Sequence, residues 1–173
     1  MVERLVDFEQ DADFEAWRAI DDVVMGGVSR SSFRQAAPGI ASFSGLVSLD
    51  YGGGFASVRT HPRVWATAGA KAFVLRCHGD GRRYKFTVRV DDGFDGVQHQ
   101  ARFSPPRGEW VDVVLPMNAF VASFRGRPVP GAGLLDPAQI RQLGLMISDK
   151  QAGPFELLVD WIDVTRKLGT GNR

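Results

Sequence analysis

The chain has 173 residues, 44% hydrophobic and 24% charged, enough to bury the core of one ordinary domain, and its 21 Lys and Arg against 20 Asp and Glu leave a formal charge of +1. That balance gives no long-range attraction to nucleic acid or anionic lipid, and the one cysteine, Cys77, excludes an internal disulfide and fits a reducing compartment. No apolar run approaches membrane-spanning length, and the acidic start MVERLVDFEQ shows neither a signal nor a transit peptide, so the expected setting is cytoplasmic, without membrane insertion.

Leu5 to Phe8 reads as a short strand, and Asp13 to Ala19 as one or two helical turns with Phe14 and Trp17 on one side. The glycine pair Gly26-Gly27 follows. Ser32 to Ala36 and Ile40 to Leu49 read as strands broken by Pro38-Gly39 and Ser44-Gly45, and Phe55 to Thr60 alternates after Gly52-Gly53-Gly54. Lys71 to His78 sets Phe73, Leu75 and Cys77 on one face, so the thiol is expected buried and inert.

Arg83 to Asp91 alternates most cleanly: Tyr84, Phe86, Val88 and Val90 take one face, and Arg83, Lys85, Thr87, Arg89 and Asp91 the other. After the loop DDGFDG, Val97 to Phe103 sets Val97, His99, Ala101 and Phe103 on one side and Gln98, Gln100 and Arg102 on the other. A hairpin would merge the polar sides.

Trp110 to Leu115 is a further strand, 118–130 reads as irregular, and Asp136-Pro137 as the cap and first residue of a short helix through Gln142. Leu143 to Ile147 and Phe155 to Val164 close the pattern. In the last, Phe155, Leu157, Val159 and Trp161 are expected inward, and either a bulge near Trp161 or partial burial of both faces accommodates the apolar Leu158, Ile162 and Val164 on the other parity. About nine or ten strands with frequent turn signals predict an all-β jelly-roll sandwich with one or two short helices, a single domain over 1–166 and a frayed tail over 167–173.

The blocks DDVVMGGVSR, FSGLVS, GGGFASVR, GDGRRYKF, QARF, LPMNAF, FRGR and LGLMISDKQAGPFELLVDWI run in order through nearly the whole chain. Together they resemble the complex I intermediate-associated protein family. The resemblance implies a galactose-binding-domain-like jelly roll, the architecture of many carbohydrate-binding modules. It further implies an assembly or chaperone-like role on a protein partner, such as a subunit or intermediate of NADH:ubiquinone oxidoreductase. Two positions depart from the expected pattern: Gly52 stands in place of asparagine and His99 in place of tyrosine.

Two candidate surfaces follow. The first is a bare-backbone patch around Met25, Gly26, Gly27, Gly53 and Gly54, lined by Ser29, Ser57 and Arg59; plain turn and bulge geometry would use the same glycines. The second is the stripe Arg83, Lys85, Arg89, Gln98, Gln100 and Arg102, suited to carboxylates, phosphates or sugar hydroxyls, and equally to a solvated outer face. Carbohydrate binding is the alternative reading of that stripe, with Tyr51, Trp65 or Trp110 as stacking rings, although Trp110 suits a core.

The glycines carry no GK[ST] phosphate loop, and His61, His78 and His99 lack zinc spacing. Asp91, Asp92 and Asp95 form an acidic loop without the twelve-residue calcium pattern, and Asp7, Glu9 and Asp160 would meet only if the terminal strands pair. No cofactor, metal or catalytic set is called for, and the expected protein is a non-enzymatic binding module.

Overall fold

The alternating segments build two antiparallel sheets. A computed structural model describes residues 2–168, so five of the seven residues of the expected frayed tail lie outside the described residues. In chain order the elements are β1 (Val2–Val6), helix α1 (Asp11–Glu15), β2 (Trp17–Ala19), β3 (Arg30–Ala37), β4 (Ile40–Val47) and β5 (Ala56–Thr60). They continue as β6 (Ala72–His78), β7 (Tyr84–Arg89), β8 (Gln98–Phe103), β9 (Trp110–Pro116), β10 (Val121–Phe124), β11 (Arg127–Pro128), β12 (Gln142–Ile147) and β13 (Gly153–Thr165).

The first sheet runs β3-β4-β13-β6-β9, with β1 paired to β13; the second runs β11-β10-β8-β7-β12-β5-β2. Their inward faces meet in one apolar core. The first sheet supplies Phe43, Phe73, Leu75, Leu157 and Val159, the second Val58, Tyr84, Phe86, Val88, Leu143 and Leu145. Aromatic contacts cross between the sheets: Phe43 packs on Tyr84 at 6.2 Å and Phe73 on Phe86 at 4.8 Å between ring centres. This is the jelly-roll sandwich that the alternation predicts.

The last strand holds the first sheet together. Gly153–Val159 pairs with β4 on one edge, 162–165 pairs with β1, and the other edge pairs with β6. A register shift between Val159 and Trp161 inserts one residue. The parity of the strand therefore inverts: Phe155, Leu157 and Val159 are buried before it, Ile162 and Val164 after it. The bulge is where the sequence places it, but Trp161 is turned out of the core, with the Arg4 guanidinium 4.6 Å from its ring centre.

Three other expectations are corrected. The helix expected over 13–19 is α1 followed by strand β2, which Trp17 starts by pairing with Thr60. The helix expected from Asp136 is a single 3-10 turn, Pro137–Gln139, in which Asp136 accepts from the Ala138 N–H at 3.0 Å. The segment read as irregular holds β10 and the edge strand β11.

Candidate functional site

The glycine-rich segments close around two aspartates. After β2 the chain turns through a 3-10 segment, Asp22–Met25, that ends on Gly26 with φ 89°. Asp22 is 1% exposed. Its Oδ2 accepts from the Ser29 hydroxyl at 2.5 Å, the Gly54 N–H at 2.7 Å and the Phe55 N–H at 3.2 Å, and its Oδ1 accepts from the Ser29 N–H at 2.9 Å. Burial pushes this carboxyl up, but the Ser29 hydroxyl and the three N–H donors outweigh it and hold it below the ordinary value.

The glycines make room for that carboxylate. A Cβ on Gly27 would lie 2.5 Å from Asp22 Cγ, and one on Gly53 would lie 2.6 Å from Asp22 Oδ2. Asp21 does matching work next door, accepting from Ser31 N–H at 2.9 Å, Ser31 hydroxyl at 2.6 Å and Ser57 N–H at 2.9 Å. The two acids thus tie β3 of one sheet to β5 of the other. Of the residues expected to form a bare patch, Gly27, Ser29 and Ser57 are buried, while Gly26, Gly53 and Gly54 keep some exposure. The side chain of Met25 lies outside the described residues.

The second surface is the outer face of the second sheet. The hairpin expected from the alternation forms, with Lys85 opposite Arg102 and Thr87 opposite Gln100. Strand β12 sets Gly144 opposite Thr87 on one side and opposite Arg59 on the other. Strand β2 sets Arg18 opposite Arg59, and β10 sets Val121 opposite Gln100 and Ser123 opposite Gln98. One row therefore reads Arg18, Arg59, Gly144, Thr87, Gln100, Val121 across six strands. Gly144 keeps its floor low, since a Cβ there would meet Thr87 Oγ1 at 2.3 Å and the Val58 carbonyl at 2.9 Å.

This face is not the open, solvated stripe of the sequence reading. Lys85 is 9% exposed and Arg89 only 2%. The loop between β7 and β8 folds back over Arg89, whose guanidinium donates to Asp91 Oδ1 (2.9 Å) and to the carbonyls of Asp95 (2.9 Å) and Gly96 (3.1 Å). Gln142, fully buried, donates from Nε2 to the carbonyls of Asp91 and Gly93 at 2.8 and 3.0 Å. Lys85 reaches Ser148 at 2.7 Å and Asp149 at 3.4 Å, and burial pulls its ammonium below the ordinary value despite Asp149. Arg83 lies outside β7, exposed, with its N–H bound to Gln151 Oε1 at 2.9 Å. Gln98 and Gln100 are half-buried and Arg102 is exposed, paired with Asp149 at 2.8 Å.

The acidic loop does not gather a metal. Asp91, Asp92 and Asp95 pair with Arg89, Arg141 and Arg125 respectively, at 2.9, 2.7 and 2.6 Å. The terminal strands do pair, yet Asp7, Glu9 and Asp160 stay apart: Asp160 lies beside Arg76, and the acid that β1 engages is Asp163, through Arg4.

His99 lies on the core side of β8, where burial lowers its pKa, so its departure from the family pattern concerns packing rather than a surface contact. Trp65 is buried, donating to the Arg141 carbonyl at 3.1 Å. Trp110 is half-buried against His78 on the first sheet rather than in the core, and Tyr51 is 80% exposed on a 3-10 turn.

The reading from sequence missed Arg18 and Phe94. Phe94 crowns the loop, half exposed, with Arg18 and Arg59 guanidinium carbons 5.8 and 6.0 Å from its ring centre. The Arg59 guanidinium is lowered to about 10 by burial first and then by Arg89 and Arg18. A signal for Phe94 was present: one aromatic residue between glycines and acids in DDGFDG.

Comparison with known proteins bears on this geometry. An uncharacterised Schizosaccharomyces pombe protein is 30% identical over 166 residues, covering 84% of this chain and 76% of its own. The mitochondrial complex I intermediate-associated protein 30 of Mus musculus is 36% identical over 94 residues, covering 52% of this chain, and that of Neurospora crassa is 28% identical over 161 residues, covering 82%. The matches span only 29% and 58% of those two proteins.

Among solved structures, the family 11 carbohydrate-binding module of cellulase Lic26A-Cel5E from Clostridium thermocellum superposes with TM-score 0.73. It does so at 16% identity, over 99% of this chain and 98% of its own. The same family's module bound to a β-1,3-1,4-mixed-linked tetrasaccharide gives TM-score 0.71 at 17% identity, over 96% of each chain. At such identity the likeness shows the fold alone.

The cytoplasmic setting expected from the N-terminus is corrected by these matches, because the two named relatives are mitochondrial proteins. No helix among the described residues is long and apolar enough to cross a membrane. With the family model matching residues 6–159, the chain belongs to the complex I intermediate-associated protein 30 family.

Proposed function

We propose that this protein is a non-enzymatic binding module that assists assembly of a respiratory complex by surface contact with a protein partner. Membership of the family over residues 6–159 carries this reading. The physical design of the molecule supports it. Among the described residues, the acids of the acidic loop are spent on arginines, Cys77 is buried with its thiol pushed up to about 12 by burial, and His99 faces the core. What the fold offers a partner is a rigid sheet face bearing amides, arginines and Phe94, the residue types that suit a polar protein interface. Chemical cross-linking in the native host, followed by purification of the chain, tests it. Recovery of a subunit or intermediate of NADH:ubiquinone oxidoreductase is the expected result, and repeated recovery of no such protein above background rejects the assembly role.

Carbohydrate binding is the second reading, favoured by the extended polar face of a jelly-roll sheet. Among the described residues, however, the strands of that face carry no aromatic ring for a sugar to stack on, and Phe94 stands alone on its loop. A glycan array without binding removes this reading and leaves the first untouched.

A further inference from the structure

We propose that Arg18 and Arg59 form an oxyanion site on the outer face of the second sheet, taking one carboxylate or phosphate group. The proposal does not depend on the assembly reading. The two arginines are direct cross-strand partners on β2 and β5. Like charges so placed repel unless something lies between them. Neither makes an ion pair among the described residues, whereas every carboxylate of the neighbouring loop is already taken: Asp91 by Arg89, Asp92 by Arg141 and Asp95 by Arg125.

Their donors are also left over. Arg59, 9% exposed, donates from Nη1 to the Phe94 carbonyl at 2.8 Å, and among the described residues that is its one hydrogen bond. Among the described residues the Arg18 side chain makes none, and its Nε is buried without a partner. A buried guanidinium N–H without an acceptor is costly, and buried polar atoms are nearly always satisfied in native proteins. Both guanidiniums reach the Phe94 ring, whose negative face offsets only part of the charge. A group with two oxygens in one plane or on one tetrahedral edge meets these requirements together. It accepts from the free edges of two planar forks and supplies the missing negative charge. Chloride can accept from both guanidiniums, but as a single centre it lacks the paired oxygens that take two parallel N–H bonds from one fork.

The test is thermal unfolding of the full chain at neutral pH and matched ionic strength, with inorganic phosphate titrated against chloride. Phosphate is expected to raise the Tm saturably, as a ligand of the native state does. Arg18→Gln and Arg59→Gln are each expected to weaken the fitted affinity by about tenfold or more, from the loss of charge-assisted bonds. Arg18→Gln is the safer variant, because it sits on an edge strand. In chloride alone it should melt no lower than the parent, since it removes a repulsion. Hexaglutamate in competition distinguishes the sources: displacement of phosphate identifies a protein carboxylate as the fitting occupant, and saturable phosphate binding without displacement identifies a free phosphate compound. An equal phosphate response in parent and both variants, or no saturable response to either probe, overturns the proposal.

Discussion

Replacing Asp22 tests whether the glycine-rich segments exist to seat a carboxylate. In Asp22→Asn the amide keeps the shape, but one oxygen becomes a donor. If the remaining oxygen keeps the three donors now on Oδ2, the new NH2 faces the Ser29 N–H, 2.9 Å from the present Oδ1. A hydrogen bond to a charged acceptor contributes roughly 1 kcal/mol more than one to a neutral acceptor, and an orphaned buried donor costs about 1–3 kcal/mol. Four bonds change at a residue 1% exposed, and the desolvation cost of the charge disappears in partial compensation. The expected loss is about 3 kcal/mol for Asp22→Asn and about 4 kcal/mol for Asp22→Ala, read from urea melts by tryptophan fluorescence.

The pH dependence carries the same signature. The folded carboxyl titrates below the ordinary 3.8, so its contribution is fully present above that value and is lost as the pH falls through the lower folded value. Asp22→Asn should flatten that part of the acid limb.

A coupled variant sharpens the test. Gly27→Ala alone drives a methyl to within 2.5 Å of the Asp22 carboxyl and should cost about 2 kcal/mol; in the Asp22→Ala background, where only the Cβ of residue 22 remains at 3.0 Å, it should cost about 1 kcal/mol. An Asp22→Asn melt within about 0.5 kcal/mol of the parent, or additive Gly27→Ala costs, would refute the cradle.

Two further outcomes follow from burial. Arg89→Met keeps length but removes the donors that hold the carbonyls of Asp95 and Gly96; it should lower stability by about 2–4 kcal/mol and open limited proteolysis beside Phe94, and an intact loop in that variant would contradict the clamp. Cys77, with its thiol raised to about 12 by burial, should resist a thiol reagent at about pH 8 in the folded protein and react fully in denaturant; rapid native-state labelling would contradict the assigned core position.

The sheets were legible because alternation reports a two-faced strand directly. Tyr84, Phe86 and Val88 fall inward and Lys85, Thr87 and Arg89 outward as read, and even the bulge in β13 shows as an apolar parity that changes partway. What alternation cannot report is a loop lying over the far face. Arg89 therefore reads as a surface residue and Gln142 as the end of a short helix, though loop carbonyls bury both. Strands β10 and β11 escaped because four and two residues, one of them Pro128, are too short to show a period. Asp21 and Asp22 escaped for another reason. Two acids beside glycines look like a solvated turn until the donors from Ser29, Ser31, Gly54 and Ser57 are brought from distant parts of the chain. Arg18 was assigned to a helix, which hid its place opposite Arg59.

The thirteen residues of β13 sit in the middle of the first sheet and follow in the chain every strand they pair with. Until β13 is made, β4 and β6 have no neighbour to share, and β1 waits for a mate about 160 positions downstream. Closing such loops demands a large entropic sacrifice before any contact rewards it, so the first sheet closes slowly and only once β13 is present. A nascent molecule of this kind exposes the unpaired edges of β4 and β6 until β13 arrives, and truncation anywhere before Gly153 leaves a half-sheet with nothing to complete it.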